Sequence, residues 1–307
     1  MTATLESRYA GVLLGGACGD ALGATLEFMD REAVRRRYPD GLRDMVGGGW
    51  LDLAPGETTD DTAMTLAVAK ACTREGIDLD AVAANFVAWM ETEPKDIGNA
   101  TRRALELLQA GRTWDEAGEV LQARTPNGVA GNGSVMRCAP VALRFRSDPE
   151  RMRRAAIDTS RITHADPRAT WSCVVVCQAI VHLLDGGDVD GVIDAAVVDV
   201  PVAEVRDAVT SATSRSYDDV RSGGFVLDTV NAAFWCLLCG ASAEDVIVRA
   251  VNLGGDADTT GIVAGFLAGA AYGREAIPER WRAVLHDADG IERLSRQLLA
   301  WDTAASA

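Results

Sequence analysis

The chain has 307 residues, 48% of them hydrophobic, with 30 glycines, 9 prolines and a formal net charge of −15. That length holds one large domain or two ordinary ones, since typical domains run about 100–200 residues. So much apolar surface offsets chain entropy and excludes intrinsic disorder, while the negative charge disfavours nonspecific nucleic-acid binding and peripheral binding to anionic membranes. Neither Lys70 nor Lys95 follows a glycine and no G-x-G-x-x-G string occurs, so the P-loop and dinucleotide fingerprints are absent.

Taken in chain order, the elements read as helices. Residues 11–24, GVLLGGACGDALGA, are rich in small side chains that let backbones approach closely, which suits a central helix. Leu79, Val82, Ala83, Phe86 and Met90 recur at helical spacing after the N-cap candidate Asp78. Gly111 terminates one helix, and Thr113 with Glu116 makes a capping box for the next. Asp148-Pro149 and Asp166-Pro167 each put an N-cap before a first-turn proline. Residues 174–181, VVVCQAIV, are β-branched, yet their place after Asp166-Pro167 predicts a buried helix. Ser242 opens another helix, residues 261–273 form a second small-residue helix, and Pro278 opens one carrying Trp281, Val284 and Leu285. No linker or repeat divides the chain, so one all-α domain over residues 1–307 is expected, as a monomer. The longest nearly apolar segment, residues 261–272, is shorter than the ~20 residues of a membrane span. The seven cysteines lie in apolar stretches, Cys236 and Cys239 included, and read as core-packed reduced thiols of a cytoplasmic protein.

Two carboxylate clusters carry the chemistry. Thr59, Asp60 and Asp61 stand at one helix start, and Asp256, Asp258 and Thr259 at another, far apart in sequence. Either alone would read as an N-cap. Two such clusters, each repulsive unless neutralised by cations, point to a metal. Oxygen-only donors select magnesium, manganese or calcium over zinc. An EF-hand fails because Leu267 stands where the bidentate glutamate belongs.

The strings GDALGATLEF, TDDTAM, DIGNAT, GNGSVMR, THADPRA, GGFVLDTVNAAFW and GGDADTTG, in that order, make the chain similar to the ADP-ribosylglycohydrolase family over most of its length. The resemblance implies an all-α bundle around a two-metal centre with two Mg2+ or Mn2+. Their ligands would be Thr59, Asp60, Asp61, Asp256, Asp258 and Thr259, with Asp258 bridging. It further implies catalytic roles for Glu27, Asp96 and Asp61. Gly131, Asn132, Gly133 and Ser134 would form a loop, entered through Val129 and Ala130, that wraps a diphosphate, with His164 beside it. Ala130 stands where some members place an aromatic, and Phe225 is the substitute considered for adenine; Ala100 replaces a common threonine. His182 and His286 read as structural or surface histidines. The implied activity is hydrolysis of ADP-ribose from an acceptor, a protein or a small-molecule conjugate. ADP-ribosyl-arginine comes first, because an acidic surface suits a guanidinium leaving group. Serine-linked, polymeric and ester conjugates are alternatives, as is a non-catalytic crystallin-like relative that only binds metal or ADP-ribose.

Overall fold

Caps set where most helices begin in the computed structural model, which describes residues 3–125 and 130–305. α1 (Leu5–Gly23) opens on Thr4 and α2 (Arg31–Arg37) on Asp30, each accepting a backbone N–H from the first turn. α3 (Asp60–Lys70) follows Thr59, and α4 (Leu79–Met90) follows Asp78, whose carboxylate takes the Ala81 N–H at 3.0 Å. α5 (Asn99–Gln109) stops at Gly111, φ 89°, where the Gly111 and Arg112 N–H groups bond back to Leu108 and Leu107. α6 (Trp114–Arg124) starts with the Glu116 carboxylate on the Thr113 N–H at 3.2 Å.

α7 (Ala139–Arg144) leads to α8 (Pro149–Arg161) and α9 (Pro167–Leu184), capped by Asp148 and Asp166 with proline in the first turn. Then come α10 (Val192–Ala196), α11 (Ala203–Thr210), α12 (Val226–Cys239) and α13 (Ala243–Val251), the last capped by Ser242. α14 (Ala257–Tyr272), α15 (Glu279–Arg282) and α16 (Ala288–Ala305) complete a single all-α domain with no strand among the described residues.

The two small-residue helices, α1 and α14, pair antiparallel at the centre. A Cβ on Gly11 would stand 2.6 Å from the Gly269 carbonyl oxygen, one on Gly15 2.5 Å from that of Gly265, and one on Gly19 2.0 Å from that of Gly261. Glycine at every fourth position of both helices therefore lets the backbones touch, as their composition predicts. At the far end of this seam the start of α14 meets the end of α1, and the carboxylates gather there.

Three expectations change. Residues 174–181 are helical, but α9, at 18 residues and mean hydropathy 1.2, is the long apolar segment, not 261–272. One of its polar interruptions, Gln178, donates from Nε2 to the Ala196 carbonyl at 2.6 Å. About two thirds of it is buried (67%), so it meets a membrane span's length and composition as a core helix. Pro278 caps only the single turn α15, and Val284 lies beyond it, exposed. Cys239 is exposed while the other six cysteines are buried, because it sits where α12 ends.

Candidate active site

Contact at the end of the seam places the first three acids. A Cβ on Gly23 would meet the Ala257 carbonyl oxygen at 2.3 Å, so the segment after α1 passes directly beside the start of α14. Carboxylate oxygens of Glu27, Asp256 and Asp258 all lie within 4.8 Å of one another. The start of α3 brings Asp60 and Asp61 to the same place. With Asp96 and Thr259 they line a cleft of about 410 Å³ whose other wall holds Gly131, Asn132, Gly133 and His164. Thr59 lines a neighbouring cavity instead; its hydroxyl accepts the Asp61 N–H at 3.3 Å and so orients the cluster from behind.

Asp20 is the organising acid that the sequence reading left out. It is fully buried on α1, and its carboxylate accepts the Thr59 and Thr62 N–H groups at 3.1 and 3.0 Å and the Thr62 hydroxyl at 2.5 Å. It thus adds to the Thr59 cap of α3 and fixes the helix start that carries Asp60 and Asp61 to the cleft. A lone acid inside an otherwise apolar helix was the available signal.

The electrostatics suit a cation. Burial pushes the Glu27 carboxyl up to about 8 and Asp60 up to about 7, with neighbouring carboxylates adding to both. Asp20, Asp61, Asp96 and Asp258 are raised too, first by burial. None of these seven acids, Asp256 included, forms an ion pair with a described residue. Asp61 Oδ2 is buried without any hydrogen-bond partner. Asp256 makes no cap bond; its Oδ2 accepts from Asn132 Nδ2 at 3.0 Å. Hard oxygens left unpaired and converging from two helix starts fit a divalent cation and do not fit N-caps.

The opposite wall is a glycine loop tied to the segment before α12. Val226 N–H bonds the Ala130 carbonyl at 2.9 Å, and Asn132 N–H that of Gly224 at 3.2 Å. Asn132 Nδ2 also reaches Thr229 Oγ1 at 3.0 Å, so one side chain links loop, α12 and Asp256. Gly133 is not in the left-handed region; it is glycine because a Cβ would meet His164 Cε1 at 2.8 Å. The buried Arg137 guanidinium donates to the Gly133 carbonyl at 2.7 Å and to Thr163 Oγ1 at 2.6 Å, and Thr163 Oγ1 lies 2.7 Å from His164 Nδ1. Arg137 takes one lone pair of the hydroxyl and leaves its proton free for Nδ1, an arrangement that suits the Nε2–H tautomer. Burial and the Arg137 charge push His164 down to about 3, so it is a neutral donor facing the loop.

Ser134 does not reach the cleft. It is buried behind the loop, where its hydroxyl accepts from Cys173 Sγ at 3.5 Å. Val129, at the loop's entry, lies outside the described residues. Phe225 faces a separate cavity of about 670 Å³ and packs under Arg168, 5.6 Å from the guanidinium carbon. His182 Nε2 pairs with the Asp188 carbonyl at 2.9 Å, and His286 is exposed, as expected of structural and surface histidines. Trp50, absent from the sequence reading, donates its indole N–H to Glu27 Oε2 at 2.6 Å.

A helical bundle that sets an unpaired carboxylate cluster against a glycine loop has the make-up of a metal-assisted hydrolase. The chain belongs to the ADP-ribosylglycohydrolase family, whose family model matches residues 1–306, and it is accordingly a glycohydrolase. It is 34% identical to the ADP-ribosyl-[dinitrogen reductase] glycohydrolase of Rhodospirillum rubrum, over 92% of this chain and 91% of that protein. It is 33% identical to the ADP-ribosylarginine hydrolase Tri1 of Serratia proteamaculans, over 95% and 78%. A solved structure titled ADP-ribosylglycohydrolase-related protein complex superposes with a TM-score of 0.83 at 32% identity, covering 97% of this chain and 99% of that one.

Proposed function

We propose that the protein hydrolyses the bond between the anomeric carbon of ADP-ribose and the guanidine nitrogen of an acceptor arginine. The observation that carries this is the cleft: six carboxyls without an ion-pair partner face a glycine loop and a neutral histidine donor. The names of the relatives from Rhodospirillum and Serratia support the arginine acceptor. Glu27, Asp60, Asp61, Asp256 and Asp258, with Thr59 and Thr259 beside them, would hold two magnesium or manganese ions. Bound there, such ions supply Lewis-acid charge and orient water and ribose hydroxyls.

The chain's own groups do the rest. Gly131 and Gly133 line the cleft with His164 packed against them, so loop backbone and His164 Nε2 together would meet the diphosphate oxygens. The surrounding carboxylates favour positive charge developing at the anomeric carbon. Water oxygen bonds to that carbon as the carbon–nitrogen bond breaks, and the departing nitrogen gains a proton. Glu27 Oε1, its partner oxygen being fixed by Trp50, and Asp96, its Oδ1 held by the Ile97 N–H at 2.7 Å, are the carboxyls placed to move protons. A recess of about 310 Å³ on the far side of His164, bordered by Asn99, Arg103, Gln122 and Ala130, offers room for the adenosine end. Seven unpaired thiols, six of them buried, suit a reducing, cytoplasmic setting.

Incubation with ADP-ribosyl-arginine, ADP-ribosyl-serine and poly(ADP-ribose) in the presence of magnesium, with release of ADP-ribose followed by mass spectrometry, tests the reading. Release from the arginine conjugate is expected; metal binding with no turnover of any conjugate would leave a non-catalytic relative.

A further inference from the structure

Two large aromatic rings stand in solvent at the rim of the cleft. Phe28 is 66% exposed and Trp50 50%, and their ring centroids lie 5.3 Å apart at 44°. Phe28 lines the cleft, and Trp50 holds Glu27. The backbone under both is unusual. Phe28 has φ 62°, a conformation that bulky residues rarely adopt. It is fixed there by its N–H on the Gly255 carbonyl and by the Gly255 N–H on the Met29 carbonyl, both 2.7 Å, in the turn that leads into Asp256. Trp50 follows Gly47, Gly48 and Gly49, all left-handed, the last pressed against the Ala24 carbonyl. The fold thus holds two apolar rings outside its core beside the reacting groups, one of them on a strained backbone, which points to a ligand.

We propose that Phe28 and Trp50 form an aromatic platform for the guanidinium of the acceptor arginine and set the preference for arginine-linked over hydroxyl-linked ADP-ribose. The inference rests on the arginine reading above. Asp96, a cleft carboxylate outside the proposed ion ligands, carries no ion pair to a described residue, so the mouth suits a cation. A ring face with a carboxylate at its edge suits a guanidinium in particular, because the planar group stacks while its N–H groups reach the carboxylate. A serine-hydroxyl or ester leaving group brings no positive charge to stack on the rings. Trp50 has a second task as a positioning residue for Glu27.

Steady-state kinetics on ADP-ribosyl-arginine and ADP-ribosyl-serine peptides, with agmatine as a competing guanidinium, test the platform. Phe28→Leu is expected to lower kcat/KM for the arginine conjugate about five- to tenfold more than for the serine conjugate, chiefly through KM. Agmatine inhibition should weaken in parallel, and Phe28→Tyr should restore both. Phe28→Gly, which favours the left-handed backbone, repeats the test should Phe28→Leu melt early. Trp50→Phe, keeping a ring but losing the N–H, should lower kcat on both conjugates without changing their ratio. If the wild type cleaves the arginine conjugate but Phe28→Leu and Phe28→Gly slow both conjugates equally and leave agmatine inhibition unchanged, the platform is wrong. If the wild type cleaves only the serine conjugate, the arginine reading falls and the platform falls with it.

Discussion

The glycine seam and the acidic cleft are built by the same two helices and follow opposite rules. Along the seam the glycines of α1 and α14 bring backbone against backbone, with Phe266 packed over Gly16. At its end Glu27, Asp256 and Asp258 crowd together with Asp61, whose Oδ2 has no hydrogen-bond partner among the described residues. Tight packing is what can hold a repulsive, unsatisfied cluster in place. The seam carries stability, and the cleft draws on it for chemistry.

If that division holds, the largest single-residue effect on folding belongs to the seam. Gly19→Val would drive a side chain into the Gly261 carbonyl, now 2.0 Å from the position of a Cβ. It should lower the melting temperature by about 10 °C or more, or abolish folding, as differential scanning calorimetry would show. The cleft should respond in the other way. Asp258→Asn is expected to cut turnover by about two to three orders of magnitude while the metal-free protein melts no lower, since carboxylate repulsion is relieved. Asp245→Asn removes an acid that pairs with Arg249 on α13 and should leave turnover close to wild type. Equal losses in the two variants would count against the assignment.

Much of this contrast is legible in the chain. Apolar periodicity, caps at Asp78, Thr113, Asp148, Asp166 and Ser242, and glycine spacing all find their places, because each is a local rule. So do the two acid clusters, whose crowding is visible in adjacent residues. What is not legible depends on tertiary approach. Asp20 looks like one acid in an apolar helix until α3 lays two backbone N–H groups and a hydroxyl on it. Trp50 meets Glu27 only through the bend at Gly47, Gly48 and Gly49. Ser134, beside a loop glycine in sequence, turns its hydroxyl to Cys173. Gly133 is set by a histidine 31 positions later, not by its own φ.

A smaller effect concerns pH. Glu27 and Asp60 are raised in the folded chain, to about 8 and about 7, so the fold binds more protons there than the unfolded chain does. Their contribution is full below the unfolded carboxyl range and is lost as pH rises through 7 to 8. Protein stripped of metal should melt higher at about pH 5.5 than at about pH 8.5, and magnesium at the higher pH should close the gap. The smallest effect is expected from Thr163→Val, which frees the His164 ring while leaving the acids alone. ADP-ribose affinity should fall a few-fold by calorimetry, with the His164 nitrogen shifts moving from the Nε2–H pattern in NMR spectra.

Calorimetric titration of manganese into chelator-stripped wild type, Asp61→Asn and Asp258→Asn puts the joint metal centre to the most direct trial. Saturable binding of two ions per chain is expected, with protons released near neutral pH as the raised carboxyls give them up, and each substitution, though in a different cluster, should weaken it. Absence of saturable binding in the wild type, or binding unchanged by either substitution, would contradict the claim that the two clusters form one cation site.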